Sequence, residues 1–225
     1  MIARRLAETR ARVDAAARAA GRDPSTVALL AVSKTHPASA IREAYAAGQR
    51  DFGESYAQEL RDKAEELVDL GDLRWHFIGH LQTNKAKYVA RVAHAVHSVD
   101  DGDLARELAK RVASQGRAPL RVLVEVNAGI EAQKAGVSAE ALPELLAAVR
   151  GLPQLELRGL MTMPPFGDLA VARRVFDRLA ALRERLGGAA ALPELSMGMS
   201  DDLEVAVAAG STIVRVGTAI FGARE

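Results

Sequence analysis

The feature that most constrains the fold is a regular alternation of short apolar runs with helix-like segments. Eight strands, rich in Val, Leu and Ile, are predicted over residues 27–34, 51–55, 75–79, 95–100, 120–127, 155–162, 194–198 and 213–217. Helices are predicted between them over residues 38–48, 56–70, 84–92, 103–115, 138–150, 168–186 and 201–209. Because helices follow the strands in succession, we expect parallel strands that are joined by crossover helices.

This pattern favours a closed (β/α)8 barrel of the TIM type, and an open doubly wound sheet is the alternative. No Gly-x-Gly-x-x-Gly motif follows an early strand, which weakens the alternative. Residues 1–20 predict an extra amphipathic helix that ends at Gly21. Few residues follow the last strand, so we expect this N-terminal helix to cover the position of the eighth helix. Residues 187–191 are predicted to be a loop, and residues 1–225 a single domain.

Composition narrows the chemistry. The 225 residues include no cysteine, which excludes disulfides, thiolate zinc sites, iron–sulfur clusters and thiol nucleophiles. The 30 Lys+Arg and 29 Asp+Glu residues nearly balance, so no overall charge attracts nucleic acid or an anionic membrane. The N-terminus has no apolar signal segment, and no uncharged run is long enough for a membrane span. These observations predict a cytoplasmic protein without a nucleic-acid or membrane partner.

The first strand ends in a lysine. In a barrel, functional side chains lie at the carboxyl ends of the strands. Lys34 follows the apolar run 29–32 and is expected to point at the mouth of the barrel. A lysine whose charge is disfavoured by burial becomes a nucleophilic amine that forms an imine with an aldehyde. The alternative is a lysine at a strand end that reaches into solvent.

The last two strands end in small and hydroxyl residues. Barrels often hold a phosphate in the loops after strands seven and eight. Ser200 and Thr218 offer hydroxyls there, and Gly217 allows backbone to approach an anion. The alternative is that Ser200 caps a helix and Gly217 forms a plain turn. Asp201 and Asp202 suit a solvated helix start, but they would repel phosphate unless their side chains turn away.

An arginine and two histidines lie near these strand ends. Arg215 lies within the last strand, on the same face as Gly217. Its charge needs a partner, which is either a core carboxylate such as Glu125 or an acceptor on a ligand. His76 and His80 are four residues apart, but they lie on a strand and a loop. We therefore expect no metal site there, and we expect His76 to form hydrogen bonds inside the barrel.

Four segments carry a family resemblance. They are AVSKT at 31–35, FGESYAQE at 52–59, WHFIGHLQTNK at 75–85, and LSMGMSDDLEVAVAAGSTIVRVGTAIFG at 195–222. Together they resemble the pyridoxal phosphate homeostasis protein family, the YggS/PROSC-like proteins. This family is similar in fold to the barrel domain of alanine racemase and lacks that enzyme's additional β domain.

The resemblance implies the roles of individual residues. Lys34 would form a Schiff base with pyridoxal 5′-phosphate (PLP), and Arg215 would face the pyridine nitrogen. Ser55 stands where the family usually has Asn, so any contact with the cofactor there would come from a shorter side chain. The residues that would hold the phosphate are Ser200, Gly217 and Thr218.

The function predicted from these features is a PLP carrier without robust catalytic activity. An arginine at the pyridine nitrogen favours an unprotonated ring, which weakens the cofactor as an electron sink. Racemisation also needs a second acid/base group, and Tyr45, Tyr56 and Tyr88 all fall in helix-like segments. The alternatives are a weak PLP-dependent racemase or decarboxylase with Lys34 as base, and a barrel that binds another phosphorylated metabolite. The family leads us to expect a monomer. We expect it to buffer PLP or to deliver it, with apo-enzymes that use PLP as candidate recipients.

Overall fold

Eight parallel strands close into a barrel in the computed structural model, which describes residues 1–129 and 135–223. Strands that are consecutive in the chain are neighbours in the sheet, and the last strand pairs with the first. The predicted closed barrel is confirmed, and the open sheet is wrong. The strands are β1 (Ala28–Val32), β2 (Asp51–Glu54), β3 (Arg74–Phe77), β4 (Ala95–Val99), β5 (Leu120–Glu125), β6 (Leu155–Met161), β7 (Glu194–Ser196) and β8 (Ile213–Val216).

Helices surround the barrel. Those of the described residues are α1 (Ile2–Ala19), α2 (Ala38–Ala46), α3 (Ala57–Glu66), α4 (Ala86–Val92), α5 (Gly102–Ser114), α6 (Leu142–Arg150), α7 (Leu169–Arg185), α8 (Gly188–Ala191), α9 (Leu203–Ala208) and α10 (Thr218–Phe221). None of them is both long and apolar enough to cross a membrane.

The predictions for residues 187–191 and 138–150 need correction. Residues 187–191 are not a loop throughout, because α8 forms one helical turn there after Gly187, whose φ of 110° reverses the chain. Helix α6 begins at Leu142 instead of residue 138, since Pro143 in its first turn has no N–H to continue a helix on its N-terminal side.

The N-terminal helix occupies the eighth helical position. Helix α10, which follows β8, is a single turn, and α1 packs against α2, α9 and α10. Leu6, Val13 and Ala17 form the buried side of α1. Arg12 on its outer side pairs with Glu204 of α9 at 2.8 Å. The expectation that this helix covers the gap is confirmed.

The barrel lumen differs between its two ends. Leu30, Val32, Ile78 and Ile213 form a small buried apolar cluster. Near the amino ends of the strands, ion pairs fill the lumen instead: Arg74 with Asp51 at 2.6 Å, Arg121 with Glu194 at 2.8 Å, and Arg158 with Glu194 at 3.2 Å. Apolar side chains on the opposite faces of the strands pack under the helices and form the main core.

Candidate functional site

The six predicted site residues meet in one cavity. It has a volume of about 1160 Å³ and lies at the carboxyl ends of the strands, where barrels carry their functional groups. Arg215 belongs to β8, and the others lie on the segments that follow β1, β2, β7 and β8. The cavity wall includes Lys34, Ser55, Ser200, Arg215, Gly217 and Thr218.

Lys34 lies on a tight turn that the strand β1 leads into. The amide of His36 donates to the carbonyl of Ser33 at 3.1 Å, which closes the turn. Thr35 adopts a φ of 67°, a left-handed conformation that is unfavourable for a branched residue. The amide of Thr35 donates to Glu59 Oε1 at 2.6 Å, and this hydrogen bond helps to hold the turn. Lys34 is half-buried on the cavity wall, so it does not simply extend into solvent.

A buried ion cluster supports this turn from behind. Lys63 of α3 donates from Nζ to the Ser33 carbonyl at 2.8 Å, to Glu54 Oε1 at 2.8 Å and to Glu59 Oε1 at 2.7 Å. The hydroxyl of Ser33 donates to the same oxygen of Glu54 at 2.7 Å. Burial raises the pKa of Glu54 to about 7, against the attraction of Lys63. The cluster joins β1, β2 and α3 beneath Lys34.

Sequence reasoning missed this cluster. Glu59 and Lys63 are four residues apart on α3, a spacing at which such pairs meet. Glu54 is the last residue of the apolar strand β2, and Lys34 lies two residues after the end of β1. These two signals were available, but the link to Ser33 depends on the pairing of β1 with β2.

Arg215 is held by neutral partners. Its Nη1 donates to Ser196 Oγ at 2.8 Å and its Nη2 to the carbonyl of Thr162 at 3.0 Å. The suggested ion pair with Glu125 does not form, although that carboxyl attracts the guanidinium electrostatically. Burial lowers the pKa of Arg215 to about 10, so the side chain stays charged at neutral pH. It is 3% exposed and contributes to the cavity wall.

Glu125 makes the stability of the fold pH-dependent. Burial, together with the Asp100 carboxylate, raises its pKa to about 7 against the attraction of Arg215. The folded state therefore keeps a proton that the unfolded state releases above about pH 4.5. The stability that this proton contributes is full at low pH and is lost as the pH rises through about 7.

Glu125→Gln is expected to remove this loss. The variant should gain stability relative to the unmodified protein as the pH rises, by up to about 3 kcal/mol at pH 8. Urea unfolding between pH 4.5 and pH 8 measures the difference. Glu144→Gln, an exposed position on α6, is the control and should leave the pH profile unchanged. Parallel profiles for Glu125→Gln and the unmodified protein would contradict the assignment.

The segments after β7 and β8, where a phosphate site is predicted, differ from the prediction at Asp202 and Ser200. Asp202 is buried and accepts a hydrogen bond from the amide of Met199 at 2.6 Å, so it is not a solvated residue at a helix start. Asp202 occupies the N-cap of α9, and the suggested capping role of Ser200 is wrong. A Cβ at Gly217 would lie 3.1 Å from the Val32 carbonyl, so a glycine there allows β8 to end close against β1.

The loops that carry Ser55 and Gly79 are also in close contact. A Cβ at position 79 would lie 2.2 Å from the Ser55 carbonyl oxygen, which is too close for any residue other than glycine. Tyr56 follows at the N-cap of α3, exposed, and it lies on the cavity wall. The prediction that all three tyrosines fall within helices away from the strand ends is therefore wrong for Tyr56. Other cavity residues that were missed are Arg12, His36, His80, Met163, Phe166 and Leu169.

The histidines of β3 and its following loop have separate surroundings. His76 forms hydrogen bonds inside the barrel, as predicted, with His97 and Asp51. His80 is mostly exposed and lies 3.8 Å from Asp100. Within residues 1–129 and 135–223, no three or more His, Asp or Glu side chains are placed to hold a metal ion.

Comparison with known proteins gives full-length matches. Residues 5–225 match the family described as alanine racemase, N-terminal domain. The pyridoxal phosphate homeostasis protein of Pseudomonas aeruginosa is 52% identical over 225 residues, which cover 100% of this chain and 96% of that protein. The protein of the same name from Escherichia coli K12 is 47% identical over 231 residues, which cover 100% of this chain and 97% of that protein.

Solved structures agree with this match. PipY of Synechococcus elongatus, solved with PLP bound, is 41% identical and superposes with a TM-score of 0.82 over 99% of this chain and 100% of PipY. Its structure without PLP gives a TM-score of 0.88 at 42% identity, with the same coverage. Alanine racemase from Corynebacterium glutamicum shares the fold at 20% identity, with a TM-score of 0.68 over 97% of this chain and 59% of the racemase.

Proposed function

The chain belongs to the pyridoxal phosphate homeostasis protein family, and from this premise we propose that it binds PLP reversibly as a Schiff base on Lys34. The protein would then buffer or deliver a reactive aldehyde without turning over a substrate. The observation that carries the proposal is the meeting of the six residues, from four segments of the barrel, in one cavity. The PLP-bound PipY structure supports the choice of ligand.

The donor set fits PLP. Lys34 supplies a primary amine for the aldehyde, and Arg215 a charged donor for the ring nitrogen. Ser200 and Thr218 supply hydroxyls on the cavity wall, and Gly217 leaves backbone accessible there for a phosphate. The volume of about 1160 Å³ accommodates the cofactor with space to spare. Ser55 contributes to the wall beside Tyr56, where a hydroxyl is available to the ligand.

The residues favour retention over turnover. When bound, PLP supplies an electron sink, and a protonated ring nitrogen strengthens that sink. Arg215 cannot accept a proton from the ring and remains charged, so it favours the unprotonated nitrogen. The amine of Lys34 adds to the aldehyde and water leaves, and the reverse reaction releases the cofactor.

Two alternatives have different observable consequences. Tyr56 lies on the wall of the same cavity as Lys34, which favours a weak racemase or decarboxylase with the lysine as base. A barrel that binds another phosphorylated metabolite would use Ser200, Gly217 and Thr218 without an imine on Lys34. The first alternative predicts turnover of an amino acid, and the second predicts a colourless protein after incubation with PLP.

Reconstitution tests the proposal. Purified protein is incubated with PLP, its visible spectrum is recorded, and the complex is reduced with borohydride before peptide mapping. We expect an imine absorbance band and a pyridoxyl group on the peptide that contains Lys34. We expect the protein to show neither racemisation of L- or D-amino acids nor decarboxylation of amino acids. Robust turnover would contradict the carrier hypothesis and support the enzyme hypothesis. The absence of an imine band would contradict PLP binding through Lys34.

The cellular setting follows from the same proposal. A PLP carrier acts where PLP-dependent enzymes fold, so we place it in the cytoplasm with apo-enzymes as recipients. A monomer fits this role because the cavity is assembled from one chain. Sedimentation of the purified protein with and without PLP measures its oligomeric state.

A further inference from the structure

A continuous row of hydrogen-bonded side chains crosses the barrel lumen to the cavity. It begins at Arg74, which is half-exposed at the amino ends of the strands, and it ends at Arg215 on the cavity wall. The links measure 2.6, 3.0, 2.9, 2.9 and 2.8 Å. We call this row the lumen chain; in order, its members are Arg74, Asp51, His76, His97, Ser196 and Arg215.

The two ends of the lumen chain determine the direction of its hydrogen bonds. An arginine only donates, so Ser196 Oγ accepts from Arg215. The single hydroxyl proton of Ser196 is then directed to His97 Nδ1 at 2.9 Å. At the other end, the Asp51 carboxylate accepts from His76 Nε2 at 3.0 Å. Its ionised state is favoured, because hydrogen bonds from Arg74 and His76 hold the pKa of Asp51 below its usual value despite its burial.

The middle link follows from these two. Neutral imidazole carries one proton, so His97 with an accepting Nδ1 carries its proton on Nε2. That proton points at His76 Nδ1, 2.9 Å away. His76 then also carries its proton on Nε2, where it donates to Asp51. With the opposite tautomers, Ser196 would receive two donors and the unprotonated His76 Nε2 would face a carboxylate oxygen.

Burial keeps His97 neutral. His97 and Ser196 are fully buried, and burial lowers the pKa of His97 well below its usual value, with further repulsion from the Arg215 guanidinium. Each polar atom of the two histidine rings and of Ser196 then has a partner. A satisfied buried network of this kind holds its members in one geometry.

We propose that Ser196 and His97 are positioning residues that orient the Arg215 guanidinium toward the bound cofactor, with both lumen histidines held as Nε2–H tautomers. The inference rests on the proposed function in one respect, the identity of the ligand that Arg215 faces. With Nη1 bound to Ser196 and Nη2 to the Thr162 carbonyl, the planar guanidinium has one orientation relative to the cavity. Ser196→Ala removes one of these two anchors and disconnects the histidines from the arginine.

The first test uses the protein without added cofactor. Two-bond proton–nitrogen correlation NMR spectra distinguish the tautomers and the doubly protonated form of histidine. We expect His76 and His97 both to show the Nε2–H form at neutral pH. A doubly protonated His76, or an Nδ1–H form of either ring, would overturn the proposed direction. This result does not depend on whether the protein binds PLP.

The second test compares three variants. Ser196→Ala should weaken PLP binding about tenfold or more, the loss typical of a hydrogen bond to a charged group, and should change the tautomer signals of His97. Ser196→Thr, which keeps the hydroxyl, should restore most of the binding. Ser98→Ala is the matched control, because Ser98 is equally buried on β4 and its Oγ has no hydrogen-bond partner among the described residues.

The outcomes separate the two proposals. If the unmodified protein forms no Schiff base but shows the predicted tautomers, the proposed ligand fails and the lumen chain stands. If Ser196→Ala binds PLP as tightly as Ser98→Ala, the positioning role of Ser196 fails while the carrier function stands. Thermal unfolding of each variant before titration shows whether a loss of binding reflects a loss of folded protein.

Discussion

Lys34→Ala is expected to abolish the imine absorbance band completely. Among the described residues on the cavity wall, Lys34 is the one with a primary amine, and a guanidinium does not replace it in this chemistry. Contacts from Arg215, Ser200 and Thr218 should still hold PLP non-covalently, with the spectrum of the free aldehyde. We expect the apparent affinity to fall about 100-fold, which corresponds to about 2.7 kcal/mol. Visible spectra during titration with PLP measure both effects.

Two further variants test whether the effect of Lys34→Ala comes from loss of the primary amine, from loss of its charge, or from removal of any exposed lysine. Lys34→Arg keeps the positive charge and should also lack the band. Lys110→Ala removes an exposed lysine of α5 and should bind PLP as the unmodified protein does. Because Lys34 is only half-buried, its replacement should change the free energy of unfolding by no more than about 1 kcal/mol. A band that survives in Lys34→Ala would remove the central assignment.

The barrel was predictable because its pattern is local. Each strand is a short apolar run, and each crossover helix has its own periodicity, so strands β1 to β8 are visible without knowledge of their neighbours. The rule that the carboxyl ends of parallel strands share one edge then brings Lys34 and Arg215 together, although they are 181 positions apart in the sequence. Their convergence in one cavity follows from topology alone.

The partners of these residues were not predictable in the same way. Arg215 binds Ser196, and Ser196 contacts His97 across the lumen from β4, a strand that is not its neighbour in the sheet. Such a contact depends on the register of every intervening strand, and two of these pairings contain a shift, between Val96 and Val99 and between Val122 and Leu123. A local pattern does not encode these shifts.

The first residues of two helices differ from prediction by one or two positions, and this changes the roles of Tyr56 and Asp202. Helix α3 begins at Ala57 and not at residue 56, which leaves Tyr56 on the segment that borders the cavity. Helix α9 begins at Leu203, so Asp202 precedes the first helical residue, and its carboxylate accepts a hydrogen bond from the amide of Met199. In both cases the helical pattern was correct, and the end of the helix decided the role of the residue.

Lys63→Met should have the largest effect on stability among the substitutions considered. The ammonium of Lys63 neutralises Glu54 and Glu59 and satisfies the Ser33 carbonyl in a site where Lys63 is 7% exposed and Glu54 is 0% exposed. Removal of one member of such a buried group leaves an uncompensated charge and typically costs about 3–5 kcal/mol. Urea unfolding at pH 8 should show a loss of this size. Lys110→Met, at an exposed position, should change stability by no more than about 0.5 kcal/mol.

The pH dependence of this loss identifies its cause. The pKa of Glu54 is already raised to about 7 by burial, so the stability that its bound proton contributes is full at low pH and is lost as the pH rises through about 7. Without Lys63 the pKa of Glu54 rises further, so the folded variant keeps this carboxyl protonated. The free energy of holding that proton against its release in the unfolded state is larger at pH 8 than at pH 5.5. The difference between Lys63→Met and the unmodified protein should therefore shrink at pH 5.5. Lys63→Met combined with Glu54→Gln removes the stranded charge and should recover much of the stability at pH 8. A loss below 1 kcal/mol at pH 8, or no recovery in the double variant, would show that the Lys34 turn is stabilised by other contacts.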